Sequence, residues 1–152
     1  MIVRGAQPDD IGRILELMAP HVAAEALLPR DESEVRRRLH EFVLLEEPAG
    51  ARPIGMAALH HYGAGLAEVR SLTVAEEHAG KGHGRRLVSA LIERARQENL
   101  GRVIALTRTP EFFERIGFAR TAIEALPEKV SRDCRFCPRR DRCDEVAMVL
   151  EL

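Results

Sequence analysis

Gly80, Gly82 and Gly84 stand on alternate positions in the stretch HAGKGHGRRL, directly ahead of a basic, apolar-striped segment. Glycines so spaced let successive backbone N–H groups turn toward one concavity, and a following helix adds the positive end of its dipole. That is an anion cradle suited to phosphate. Two familiar phosphate loops fail on spacing. A Walker loop needs Gly-Lys followed by Ser or Thr, but Lys81 is followed by Gly82 and no hydroxyl is in place for magnesium. A dinucleotide fingerprint needs G-x-G-x-x-G against a strand, and an acid ending the next strand. Here the spacing is G-x-G-x-G, and residues 102–107 end without an acid. A second cluster with chemical capacity is Cys134-x-x-Cys137 with Cys143, where Asp144 would complete four ligands. Zinc fits that spacing. Reduced structural thiols or a local disulfide fit as well, and are preferred to zinc because no paired histidine accompanies the cysteines.

The elements that must carry these groups follow from length and patterning. A chain of 152 residues has the size of one domain. Lys and Arg total 23 against 24 Asp and Glu, and 45% of residues are hydrophobic, so the chain is balanced and globular, with no call for nucleic acid. Neither a membrane span nor a leader peptide is legible, and three cysteines confined to one short segment do not form an extracellular disulfide framework. A cytoplasmic protein is expected. The run Arg36-Arg37-Arg38 reads as the solvated face of its helix, and His60, His61 and His83 as surface or packing residues.

Residues 2–5 are expected as a first strand. Pro8-Asp9-Asp10 then opens a helix with Ile11, Ile14, Leu15 and Met18 on one face. Asp31 with Glu34 marks the start of a second helix striped by Val35 and Leu39. Strands over 42–46, 54–60 and 67–74, joined by turns rich in Gly and Pro, make an antiparallel meander that leaves Tyr62 in a turn region. Leu87, Val88, Leu91, Ile92 and Ala95 recur at helical spacing until Asn99-Leu100-Gly101. A buried strand over 102–107, a short helix over 110–115, and strands over 118–123 and 145–150 complete a mixed α/β sheet, with the glycine loop between a strand and a helix.

The order Val74, Gly80-x-Gly82-x-Gly84-Arg85-x-Leu87 resembles the pyrophosphate motif Q/R-x-x-G-x-G/A of the GNAT N-acetyltransferase superfamily, with Ala79 in place of the polar first residue. AEVRSLTV (67–74) matches its central strand, and PEFFERIGF (110–118) its short helix and following Gly-Phe. More narrowly, Leu28-Pro29-Arg30, AEVRSLTV, ALTRTPEFFERIGF and the tail LPEKVSRDCRFCPRRDRCDEVAM are similar to the short bacterial N-acetylglutamate synthases of arginine biosynthesis, over nearly the whole chain.

The resemblance implies an α/β GNAT fold over residues 1–152, with a central, mostly antiparallel sheet flanked by helices. It also implies acetyl-CoA as co-substrate and L-glutamate as acceptor, with neither nucleic acid nor membrane as partner; a homodimer is left open. The coenzyme would be held by Leu72, Thr73, Val74, Ala79, Gly80, Lys81, Gly82, His83, Gly84 and Arg85, with Thr107, Phe112 and Phe113 along it. Glu68 matches the family's catalytic glutamate, and acyl transfer needs such a base because the attacking amine must be neutral. Leu28, Arg30 and Ser71 match substrate positions; Arg70 and Lys129 are further candidates for the two carboxylates of glutamate, which forked or point cations would bind. Strict alternation along 67–74 places Glu68 and Ser71 on opposite faces, so a bulge is required to bring them to one pocket. Where many relatives place a tyrosine to protonate the leaving thiolate, this chain has Phe112-Phe113, which leaves Thr107, Thr109 or water for that step.

Overall fold

The computed structural model describes residues 1–23, 31–126 and 145–152. Among these residues, seven strands form one sheet in the order β1-β2-β3-β4-β5-β7-β6. Their ranges are β1 Ile2–Gly5, β2 Phe42–Glu46, β3 Gly55–Gly63, β4 Leu66–Val74, β5 Arg102–Thr107, β6 Ala119–Thr121 and β7 Val146–Glu151; the helices are α1 Ile11–Ala23, α2 Glu32–Arg37, α3 His83–Gln97 and α4 Pro110–Glu114. The chain divides into two compact units, residues 1–60 with 69–94 and residues 61–68 with 95–152.

In the first unit, β1 pairs antiparallel with β2, and β2 with β3. Ile11, Ile14, Leu17 and Met18 recur on one face of α1 and pack with Val35, Phe42, Leu44, Met56 and Ala58 into a buried cluster. That spacing is the apolar stripe of an amphipathic helix. Asp31 caps α2, its Oδ1 accepting from the Glu34 N–H at 2.8 Å. The helix stops at Arg37, and Leu39 falls in a following 3-10 turn instead of extending the helical stripe.

Arg4 ties β1 to its surroundings. Its Nε donates to Glu46 at 2.7 Å, and Nη1 and Nη2 reach Asp10 at 2.8 and 3.0 Å. Asp10 is held below the usual carboxylate range, first by the Arg4 hydrogen bond; Glu46 is lowered by Arg4 and then by the Gly50 N–H. Carboxyls depressed in the folded state stabilise it above their unfolded values near 4, and that contribution is lost as pH falls through the lower folded values. Arg4→Met should therefore lower stability at neutral pH, with solvent screening limiting the size of the loss. It should also flatten the loss of stability below about pH 4, both effects read as urea midpoints across pH.

In the second unit, β5 lies parallel to β4, with Glu68 opposite Ile104, and antiparallel to β7, which pairs with β6. A parallel pair needs a crossover, and α3 lies in it. The five residues read as its stripe, Leu87, Val88, Leu91, Ile92 and Ala95, are all buried. Asn99, at φ 59°, ends the helical run. Tyr62, Leu66, Ile104, Leu126 and Ala147 form the buried cluster of this unit.

Two strands also depart from expectation by two residues or more. Strand β3 runs on to Gly63, so Tyr62 belongs to a strand and not to a turn region. The reversal that follows is made by Gly63, Ala64 and Gly65, all at positive φ. Strand β6 covers only 119–121 of the expected 118–123, because the Phe118 N–H is drawn to the Phe113 carbonyl and Ile123–Ala125 coils into a 3-10 turn.

Candidate active site

In the first unit the end of β4 and the glycine loop supply a set of polar groups. Ser71 adopts φ 57° in mid-strand. A left-handed residue interrupts the pleat, the kind of break that strict alternation required between Glu68 and Ser71. Non-glycine residues are held in this region at a cost, and such strain clusters at functional sites. Two positions on, Thr73 is 3% exposed and its hydroxyl has no hydrogen-bond partner, an orphaned polar atom at the end of the strand. Gly55 of β3 makes room there: a Cβ added to it would lie 3.2 Å from the Thr73 carbonyl oxygen.

Gly80 and Gly82 take φ 77° and 82°, and a Cβ added at either would meet nothing within 4 Å. The loop backbone therefore bounds open space. Arg86 N–H bonds the Gly82 carbonyl, so Gly82 caps α3, and helix geometry leaves the N–H groups of His83, Gly84 and Arg85 without intrahelical acceptors. Lys81 and Arg85 are exposed cations beside them. An anion such as a pyrophosphate fits this set of donors. Ala79 is exposed and extended, so only its backbone serves there.

Of the two readings of His83, surface or packing, the structure takes packing. Its ring is buried, with Nε2 3.1 Å from Glu47 Oε2 yet outside hydrogen-bond alignment, so both ring nitrogens lack a hydrogen-bond partner. What His83 offers an anion is its main-chain N–H; its ring is packing.

His60 is also buried, with Nδ1 3.1 Å from Glu41 Oε2. Burial by itself would push the Glu41 carboxyl up. The His60 hydrogen bond and the charges of His60, Arg38 and Arg70 reverse that, and the net direction is down. Half-buried Arg70 thus acts on Glu41 in this structure.

In the second unit Glu68 is 2% exposed, and the Tyr62 hydroxyl donates to its Oε1 at 2.9 Å. Glu68 is therefore not a solvent-facing strand end. Tyr62, also buried, is the polar residue that reading the sequence missed. In the structure, exposed His61, buried Tyr62 and exposed Gly63 continue the alternation of the strand.

At the end of β5, Thr107 Oγ1 accepts from the Thr109 N–H at 2.9 Å, and the two hydroxyls lie 3.1 Å apart. Phe113 is buried, with its ring edge-on to Phe112 and Phe118 at 5.1 and 5.2 Å; Phe112 is half-buried. Such spacing is aromatic core packing, with Phe112 the more accessible ring. Leu28, Arg30, Lys129, Cys134, Cys137, Cys143 and Asp144 lie outside the described residues. Among the described residues, no helix is long and apolar enough to cross a membrane.

Residues 10–118 match the model of the acetyltransferase (GNAT) family. An uncharacterized N-acetyltransferase of Chlorobaculum tepidum is 34% identical over 150 residues, covering 99% of this chain and 96% of that protein. An amino-acid acetyltransferase of Ralstonia nicotianae is 36% identical over 128 residues, which is 83% of this chain but only 28% of that enzyme. The fold also matches a crystal structure of N-acetylglutamate synthase from Neisseria gonorrhoeae complexed with coenzyme A and N-acetyl-glutamate, with a TM-score of 0.88 and 28% identity over 99% of this chain and 35% of that one. The chain belongs to the GNAT family. It is an N-acetyltransferase with acetyl-CoA as co-substrate.

Proposed function

We propose that the acceptor is the α-amine of L-glutamate, making the chain an N-acetylglutamate synthase of arginine biosynthesis, acting as a single cytoplasmic catalytic domain over residues 1–152. The observation that carries the catalytic part is the buried Glu68 carboxylate on β4, oriented by a tyrosine hydroxyl. Likeness to an amino-acid acetyltransferase and to a synthase complexed with N-acetyl-glutamate supports the acceptor.

Bound acetyl-CoA supplies the acetyl group as a thioester. The loop N–H groups of Gly80, Gly82 and Gly84, with Arg85, hold its pyrophosphate. Glu68 takes a proton from the substrate ammonium, directly or through water, so that the neutral amine forms the new C–N bond as the C–S bond breaks. Backbone N–H groups near Leu72, Thr73 and Val74 polarise the carbonyl oxygen, the oxyanion-stabilising step that carries much of such catalysis. As the C–S bond breaks, the new amide nitrogen sheds its second proton and the departing sulfur takes it up, relayed by the Thr107 or Thr109 hydroxyl or by water. Arg30, with Arg70 and Lys129, holds the two substrate carboxylates, and Leu28 and Ser71 line the acceptor site beside them.

Thiol release with one amino acid at a time tests the acceptor. Turnover with glutamate and not with unrelated amines is expected. Equal rates with an amine lacking carboxylates would keep the acetyltransferase chemistry but move the acceptor elsewhere.

A further inference from the structure

The tyrosine that many GNAT enzymes place on the short helix is absent here, and the chain has only one tyrosine, Tyr62. That residue is buried at 7% exposure and donates to Glu68. Its placement is rigid. The Gly65 carbonyl, just past the reversal that follows β3, accepts from both the Gly101 N–H at 2.8 Å and the Arg102 N–H at 3.0 Å, which pins the hairpin end to the start of β5. A Cβ on Gly65 would lie 3.3 Å from the Gly101 nitrogen, and its φ of 77° further favours glycine there. The ring of Tyr62 packs in the cluster of Leu66, Ile104, Leu126 and Ala147, so its hydroxyl is presented to Glu68 by a ring with little freedom.

A carboxylate at 2% exposure pays a large desolvation cost to stay ionised, and it can rotate between staggered positions unless a partner holds it. A short neutral donor answers both needs without adding a charge. We propose that Tyr62 is the positioning residue of the acetyl transfer: its hydroxyl holds the Glu68 carboxylate in the orientation from which it receives the amine proton. This rests on Glu68 being the base. Tyr62 touches neither acceptor nor coenzyme in this role, so its effect falls on the chemical step and passes through Glu68.

The test is a two-by-two set: the parent enzyme, Tyr62→Phe, Glu68→Gln and the double variant, each measured for kcat, both KM values, coenzyme A binding and melting temperature. Tyr62→Phe should lower kcat about tenfold, since small losses of orientation are costly in catalysis, with both KM values and coenzyme binding within about twofold. In the Glu68→Gln background the same change should cost less than about twofold, because the group it acts through is already gone. A kcat unchanged by Tyr62→Phe, or an equal loss in both backgrounds, overturns the role of Tyr62 while a slow Glu68→Gln keeps the base in place. A Glu68→Gln enzyme at full rate instead removes the base, and the role of Tyr62 with it. Should Tyr62→Phe not fold, a ring-fluorinated tyrosine at position 62, which keeps the ring and makes the hydroxyl a stronger donor, decides instead: a changed kcat with both KM values within about twofold supports the proposal, and an unchanged kcat contradicts it.

Discussion

Glu68→Gln lowers kcat by at least about 100-fold at neutral pH, the scale that a positioned general base contributes, while coenzyme A binds as tightly as before. Glutamine keeps the size of the side chain and a carbonyl oxygen able to accept from the Tyr62 hydroxyl, so the surrounding cluster of Leu66, Ile104 and Leu126 need not repack. What is lost is the capacity to take a proton. The amine acceptor is largely protonated near neutrality, and each turnover must deprotonate it before attack. A stopped-flow measurement of thiol release at saturating acetyl-CoA, beside calorimetric binding of coenzyme A, separates the two effects. Unchanged release moves the base to another residue; lost coenzyme binding makes Glu68 a structural carboxylate.

Gly82→Val acts at the opposite end of the chemistry. Gly82 sits at φ 82°, where a β-branched residue is strained by about 1–2 kcal/mol. The space beside its Cα is open, so no neighbouring atom of the protein has to give way. The fold should survive with a modestly lower melting temperature. The loop, however, relieves the strain by turning its peptide planes, and the N–H groups at the start of α3 no longer converge. Because coenzyme anchoring is shared by ground and transition states, the loss appears chiefly in KM for acetyl-CoA, by about tenfold or more, with kcat at saturation changed far less. A normal KM would mean that the pyrophosphate is held elsewhere.

The elements that position these groups were largely legible in the residues. Helix α3 was explicit because Leu87, Val88, Leu91, Ile92 and Ala95 repeat at the helical period and every one is buried. The loop was legible because glycine is the residue that takes the φ values found at 80 and 82. Less could be read where long-range contacts decide. Tyr62 reads as a turn residue because Gly63-Ala64-Gly65 follows it directly, three residues that close the hairpin at positive φ, and nothing local shows that its hydroxyl meets Glu68. The pairing of His60 with Glu41 joins residues far apart in the chain, which spacing cannot reveal. The break at Ser71 was a requirement of strand alternation, and the strand takes a left-handed residue there without the help of a glycine. Similarly, α2 ends before Leu39 because the chain tightens into a 3-10 turn, with the Glu41 N–H bonded to the Arg38 carbonyl.

Acceptor specificity is the central claim. Its most direct measurement is kcat/KM for thiol release from acetyl-CoA with L-glutamate, L-glutamine, L-aspartate and an amine without carboxylates, each alone at saturating coenzyme. A site that binds two carboxylates with charged donors should favour glutamate over the other three by about 100-fold or more, because glutamine and the simple amine lack the second carboxylate and the shorter aspartate does not span both donors. Comparable values across the four, or no release with glutamate, would contradict it.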